Sequence, residues 1–84
     1  MKINLKLFAM LQDYLPSEAK KTNMVTIDVA DGTTIIDVIT RFSVPLKMCH
    51  LVLVDGHFIP VEQRESRVFC EGETLSIWPP VAGG

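Results

Sequence analysis

No run of apolar residues in this chain is long enough to cross a bilayer. The longest aliphatic stretch, Leu51–Val54, falls far short of the roughly 20 residues a spanning helix needs. No apolar leader opens it either, because Met1–Phe8 alternates lysine and asparagine with aliphatics. A basic block is missing too: eight lysines and arginines are interspersed among ten acidic residues, for a net charge of −2. Nothing there follows a phosphate backbone, so neither nucleic acid nor membrane is expected as a partner. Cys49 and Cys70 form no Cys-x-x-Cys pair, and without an export signal both are expected to be reduced core thiols in a cytoplasmic protein. Gly-x-x-x-x-Gly-Lys and Gly-x-Gly-x-x-Gly loops are lacking, which removes the usual nucleotide cradles. Cys49, His50 and His57 match no common zinc spacing, and Cys70 has no histidine base beside it in sequence, so neither a metal site nor a nucleophile is expected.

What is present is a pattern for one small domain. The 84 residues are 48% hydrophobic, enough for a core and too apolar for disorder. Lys2–Leu7 alternates strictly, with Ile3, Leu5 and Leu7 on one face, as a half-buried strand requires. Phe8, Leu11 and Leu15 then predict a short helix ended by Pro16, and Ser17–Asn23 reads as loop. Met24–Val29 alternates again, turning Val25, Ile27 and Val29 inward. After Asp31-Gly32, Thr34 and Asp37 approximate a capping box for a helix whose apolar stripe is Ile35, Val38, Ile39 and Phe42.

Leu51–Val54 is apolar on both faces and predicts a strand inside a covered sheet, turned by Asp55-Gly56 into a short edge strand, His57–Pro60. Val61–Arg67 reads as charged loop and Val68–Cys70 as a brief extended piece. The scattered Met10, Met24, Met48, Phe42, Phe58 and Phe69 read as core positions. Thr74–Trp78 is the last strand, halted by Pro79-Pro80. This order is most economically an α+β fold: a ubiquitin-like β-grasp, with a mixed sheet of four to five strands packed on one main helix. Its first and last strands are expected to lie parallel at the middle. Residues 1–78 would form the domain and residues 79–84 a flexible C-terminal tail.

With no internal catalytic constellation, the tail is the candidate reactive element. Gly83 and Gly84 have no Cβ and would fit a slot that any side chain would block. Pro79 and Pro80 fix two φ angles and reduce the entropy lost on docking. Val81–Gly84 would reach about 13 Å when extended. Alternation turns Trp78 to the face opposite Leu75 and Ile77, either as a partner anchor or as a cover for the sheet end.

Several segments together resemble the small sulfur carriers of the MoaD/ThiS type. They are Phe8-Ala9-x-Leu11 after the first strand, the capped helix after Asp31-Gly32-Thr33, and the ending Glu71-Gly72-Glu73 through Pro79-Pro80-Val81-Ala82-Gly83-Gly84. The final six residues look most like the small subunit of molybdopterin synthase. The Leu51–His57 hairpin is closer to thiamin-type carriers, and Trp78 stands where phenylalanine is more usual.

The resemblance implies a carrier rather than a self-sufficient enzyme, the sulfur-donating small subunit of a sulfurtransferase complex. Gly84, preceded by Gly83, would be adenylated by a ubiquitin-activating-enzyme-like adenylyltransferase using ATP, then converted to a thiocarboxylate. The molybdopterin synthase large subunit, or another sulfur acceptor enzyme, would receive the sulfur. Trp78, Pro79, Pro80, Val81 and Ala82, with Phe58, would contact these partners, and the chain itself would bind no cofactor. The alternatives are a carrier for thiamin, cysteine or tRNA thiolation, and a ubiquitin-like binding module or modifier.

Overall fold

The computed structural model describes residues 1–80. Five strands form one mixed sheet: β1 (Lys2–Leu7), β2 (Met24–Asp28), β3 (Leu51–Val54), β4 (His57–Phe58) and β5 (Thr74–Trp78), in the order β2-β1-β5-β3-β4. β1 and β5 run parallel at the centre, with Leu5 opposite Leu75 and Leu7 opposite Ile77, and every other pairing is antiparallel. The expected β-grasp is therefore the observed fold, and β5 is its middle strand. Such a parallel pair needs a long connection. Here almost the whole chain supplies it.

One helix, α1 (Ile35–Arg41), covers one face of the sheet. Thr34 Oγ1 accepts from the Asp37 amide at 3.2 Å, and Asp37 Oδ2 accepts from the Thr34 amide at 2.9 Å. The predicted capping box thus satisfies amides that the first helical turn leaves without partners. Beneath it Ile35, Val38 and Ile39 join Ile3, Leu5, Leu7, Val52, Val54, Leu75 and Ile77 in a single core. Phe42 ends the stripe only half-buried, because it is the C-cap and no longer inside the helix.

Several local expectations change. The segment after β1 is a 3₁₀ helix, Ala9–Tyr14, and Phe8 stays extended ahead of it. Ala9 enters at φ 54°, a left-handed turn that breaks any helical phase between Phe8 and Leu11. Short 3₁₀ turns also occupy Ser17–Ala19 and Val61–Gln63, where loop was expected. The strand after the hairpin is only His57–Phe58. Cys49 is buried as expected, but Cys70 is exposed, as alternation about the buried Phe69 dictates. Met10, Met24 and Phe58 are likewise exposed and not core; Phe69 is buried, while Phe42 and Met48 pack partly against the core.

Candidate functional site

The same alternation that buries one face of the sheet builds the other. Register places Met24, Lys6, Ser76, Leu53 and Phe58 in one row across all five strands, on the face away from α1. One row further toward the end of β5, Trp78 pairs with Leu51. Phe8 carries β1 one residue beyond its ladder, its amide donating to the Ile77 carbonyl at 3.1 Å. Its ring stacks on Trp78, with centroids 4.2 Å apart and planes 2° from parallel.

Phe8 and Trp78 are half-buried, whereas Phe58 is 56% and Leu51 37% exposed. This face lies on the side of the sheet away from α1. The result is an apolar surface of Phe8, Trp78, Leu51, Leu53 and Phe58 at the root of the C-terminal segment. Apolar surface gathered in one place marks an interaction site more often than single exposed residues do.

The other end of the face is polar and satisfied within itself. Thr26 Oγ1 donates to Asn4 Oδ1 at 2.7 Å, and Asn4 Nδ2 donates to Thr74 Oγ1 at 3.3 Å, linking three strands. Lys2 Nζ bonds Asp28 at 2.9 Å, and that contact holds the Asp28 carboxyl below its ordinary pKa. At the same end of the sheet, but on the α1 side where alternation with Leu75 puts Glu73, Arg67 grips Glu73 with two parallel bonds of 3.0 and 2.8 Å, while Glu73 also accepts from the Cys70 amide. The guanidinium lowers the Glu73 pKa, and Glu73 in turn raises that of Arg67. Asp55 Oδ1 accepts from the Thr74 amide at 2.8 Å, which fixes where β5 begins.

Of the residues singled out in the sequence, Trp78 and Phe58 lie on this one face, joined through Leu51 and Leu53. Pro79 is buried and Pro80 exposed, so the chain leaves the core between them. Val81, Ala82, Gly83 and Gly84 lie outside the described residues. Phe8, Leu51 and Leu53 were missed as surface residues. A stack on Trp78 has no local sequence signal, and an aliphatic run looks the same whether a core or a partner is to cover it.

Among the described residues, no three His, Cys, Asp or Glu side chains are grouped to hold a metal ion. No helix among them is long and apolar enough to cross a membrane. The Cys49 thiol is pushed up in pKa by burial, against the opposing effect of Arg64, so it is not primed as a nucleophile.

Comparison with known proteins agrees with this architecture. A family model described as Mut7-C ubiquitin matches residues 1–82. Small archaeal modifier protein 1 from Haloferax volcanii is 21% identical, with a TM-score of 0.65 over 95% of this chain and 98% of that one. A chain in the complex of subunits 1 and 2 of molybdopterin-converting factor from Helicobacter pylori is 18% identical, with a TM-score of 0.63 over the whole of both chains. The thiamine biosynthesis protein ThiS from Geobacter metallireducens is 15% identical, with a TM-score of 0.61 over 96% of this chain and 99% of that one. At these identities the likeness is one of fold. No curated protein matches significantly.

Proposed function

The chain belongs to the Mut7-C ubiquitin family, and we propose that it is a carrier whose C-terminal glycines present an activated acyl group to partner enzymes. The observation that carries this reading is the apolar end, around Trp78, of the sheet face away from α1. It sits where the middle strand hands over to Pro79-Pro80 and the segment leading to Gly83-Gly84. A partner docking on Phe8, Trp78, Leu51 and Phe58 would hold the base of that segment while its tip entered a buried site. Aromatic anchors on rigid strands suit such docking, because little conformational freedom is lost.

In a polypeptide ending at Gly84, the adenylyltransferase would join the carboxylate to AMP and release pyrophosphate. A sulfur donor would then displace AMP and leave a thiocarboxylate. The acceptor we propose is the large subunit of a molybdopterin synthase. The converting-factor complex supports it, since it pairs a chain of this fold with a second subunit. Thiamin, cysteine or tRNA thiolation would use the same carrier chemistry with other acceptors. The modifier named among the similar structures supports a second reading, in which Gly84 is joined to a lysine.

Intact-mass analysis after incubation with an activating enzyme, ATP and a sulfide source tests the proposal. The expected product is heavier by about 16 mass units, one oxygen being replaced by sulfur. A polypeptide lacking Gly84 should stay folded and unconverted. Equal conversion of that shortened polypeptide would refute the role of Gly84, and an adduct on a partner lysine would favour the modifier.

A further inference from the structure

On the opposite face from the Trp78 surface, a groove of about 310 Å³ opens between α1, the 3₁₀ turn Leu46–Met48 and the turn Val61–Gln63. Its apolar walls are Ile36, Ile39, Leu46 and Val61. Leu46 and Val61 are 60% and 69% exposed. Arg64 also lines it, although that residue is only 5% exposed. Arginine is almost never buried without a charged partner. Yet among the described residues Arg64 has no carboxylate within ion-pair distance: the ion pairs there are Lys2–Asp28 and Arg67–Glu73.

The guanidinium is held by the backbone instead. Nε donates to the Ile59 carbonyl at 3.1 Å and Nη1 to the Cys49 carbonyl at 2.9 Å. Nη2 makes no hydrogen bond among the described residues, and no fully buried side-chain nitrogen there lacks a partner. Nη2 therefore keeps contact with solvent, and Arg64 lines the groove together with Lys47, His50 and Glu65, the one acidic side chain of that lining. A buried, pre-positioned cation with one open donor, in an apolar cleft, is complementary to a carboxylate. A small acid held at the guanidinium alone would leave the outer surfaces of Leu46 and Val61 wet. A peptide would cover both.

We propose that this groove docks an acidic segment of a partner protein. A glutamate or aspartate carboxylate accepts from Arg64 Nη2 near Lys47, and an adjacent aliphatic or aromatic side chain lies between Leu46 and Val61. The site is distinct from the Trp78 surface and does not depend on the fate of Gly84. The two regions touch at one point, where the His50 amide donates to the Trp78 carbonyl at 3.0 Å. A partner seated in the groove would thus bear on the strand end that carries the C-terminal segment.

The test uses the full chain, labelled with ¹⁵N, and a panel of acetylated, amidated tetrapeptides. Each carries glutamate flanked by Leu, Val or Phe, alongside its glutamine counterpart. Glutamate peptides should shift the Arg64 Nε resonance and the amides of Ile36, Lys47, His50 and Val61, and the glutamine peptides should bind about tenfold more weakly. Because Arg64 also supports backbone carbonyls, the charge is tested on exposed neighbours. Lys47→Glu should weaken binding several-fold and Glu65→Gln should tighten it. Equal binding of glutamate and glutamine peptides would overturn the proposal, as would insensitivity to both substitutions. Hexanoate binding as tightly as the best peptide would overturn the choice of a protein segment.

Discussion

The two ends of the sheet face away from α1 belong to the same strands yet are finished in opposite ways. At the end where β5 begins, Asn4, Thr26 and Thr74 bond one another and Lys2 pairs with Asp28, while Arg67–Glu73 closes the same end of the sheet from the α1 side. At the end where β5 finishes, Phe8, Trp78, Leu51, Leu53 and Phe58 form an apolar surface that stays partly exposed among the described residues. The polar end needs only water. The apolar end keeps apolar surface in water, and it is the end from which the C-terminal segment departs. Strand alternation alone would make the whole face polar, so the exception is where function should be sought.

The sharpest contrast is between this face and the one beneath α1. Leu75 is fully buried between Leu5 and Val54 in register, while its neighbour Ser76 points the other way. Leu75→Ala should cost about 2–5 kcal/mol through lost transfer energy and the cavity left behind. In a domain this small, such a loss removes a large share of total stability. Urea unfolding should show a lower midpoint with an unchanged slope. A loss under about 1 kcal/mol would mean that the core collapses around the gap, and the difference between the faces would shrink accordingly.

How much of this was legible follows from what local patterns encode. Strict alternation in Lys2–Leu7 and the Thr34–Asp37 box report on the backbone directly, and both elements formed as expected. The parallel β1–β5 centre followed from element order, since a chain this short has few ways to cover one sheet with one helix. The Phe8–Leu11–Leu15 spacing found the short helix before Pro16 but not its 3₁₀ type or its start after Phe8. A left-handed Ala9 instead leaves Phe8 with the sheet and Leu11 in the core.

Leu51–Val54 misled for a deeper reason. An apolar residue signals burial but not by whom, and Leu51 is exposed and Leu53 half-buried where a covered strand was expected. The Arg64 groove had no signal at all. Its charge sits in a segment that reads as solvated loop, and only the fold turns that side chain inward.

The polar end should be the part of the molecule that senses acid. Glu73 is held below its ordinary pKa chiefly by the bonds from Arg67. A carboxyl whose pKa is lower when folded adds stability that is complete above its unfolded pKa, near 4.5, and is lost as pH falls through the folded value. The pair is partly solvated, so its worth is on the order of 1 kcal/mol, the upper end for exposed bidentate pairs. Glu73→Gln should therefore lower stability at pH 7 by about that amount, and the gap between variant and parent should close toward pH 3. Melting curves across this range decide it. A gap independent of pH would assign the cost to lost packing, and the charge closure of the polar end would not be the stabilising device.

The smallest effect on stability is expected at Phe58, and it bears most directly on the comparison. The ring lies on a two-residue edge strand with more than half its surface in water, so little burial is lost when it is removed. Phe58→Ser should change stability by less than about 0.5 kcal/mol, as exposed positions generally do. If the apolar end is a docking surface, the same substitution should weaken association with the activating enzyme by about tenfold, since truncating an aromatic anchor commonly costs more than 1 kcal/mol of binding. Calorimetric titration beside a melting curve separates the two quantities. A loss of stability with unchanged binding would make Phe58 a lid on Leu53 and confine the docking surface to Trp78, Phe8 and Leu51. Unchanged values of both would leave the apolar end without an energetic role at its edge, and the asymmetry between the two ends would then carry no functional meaning beyond the strand centre.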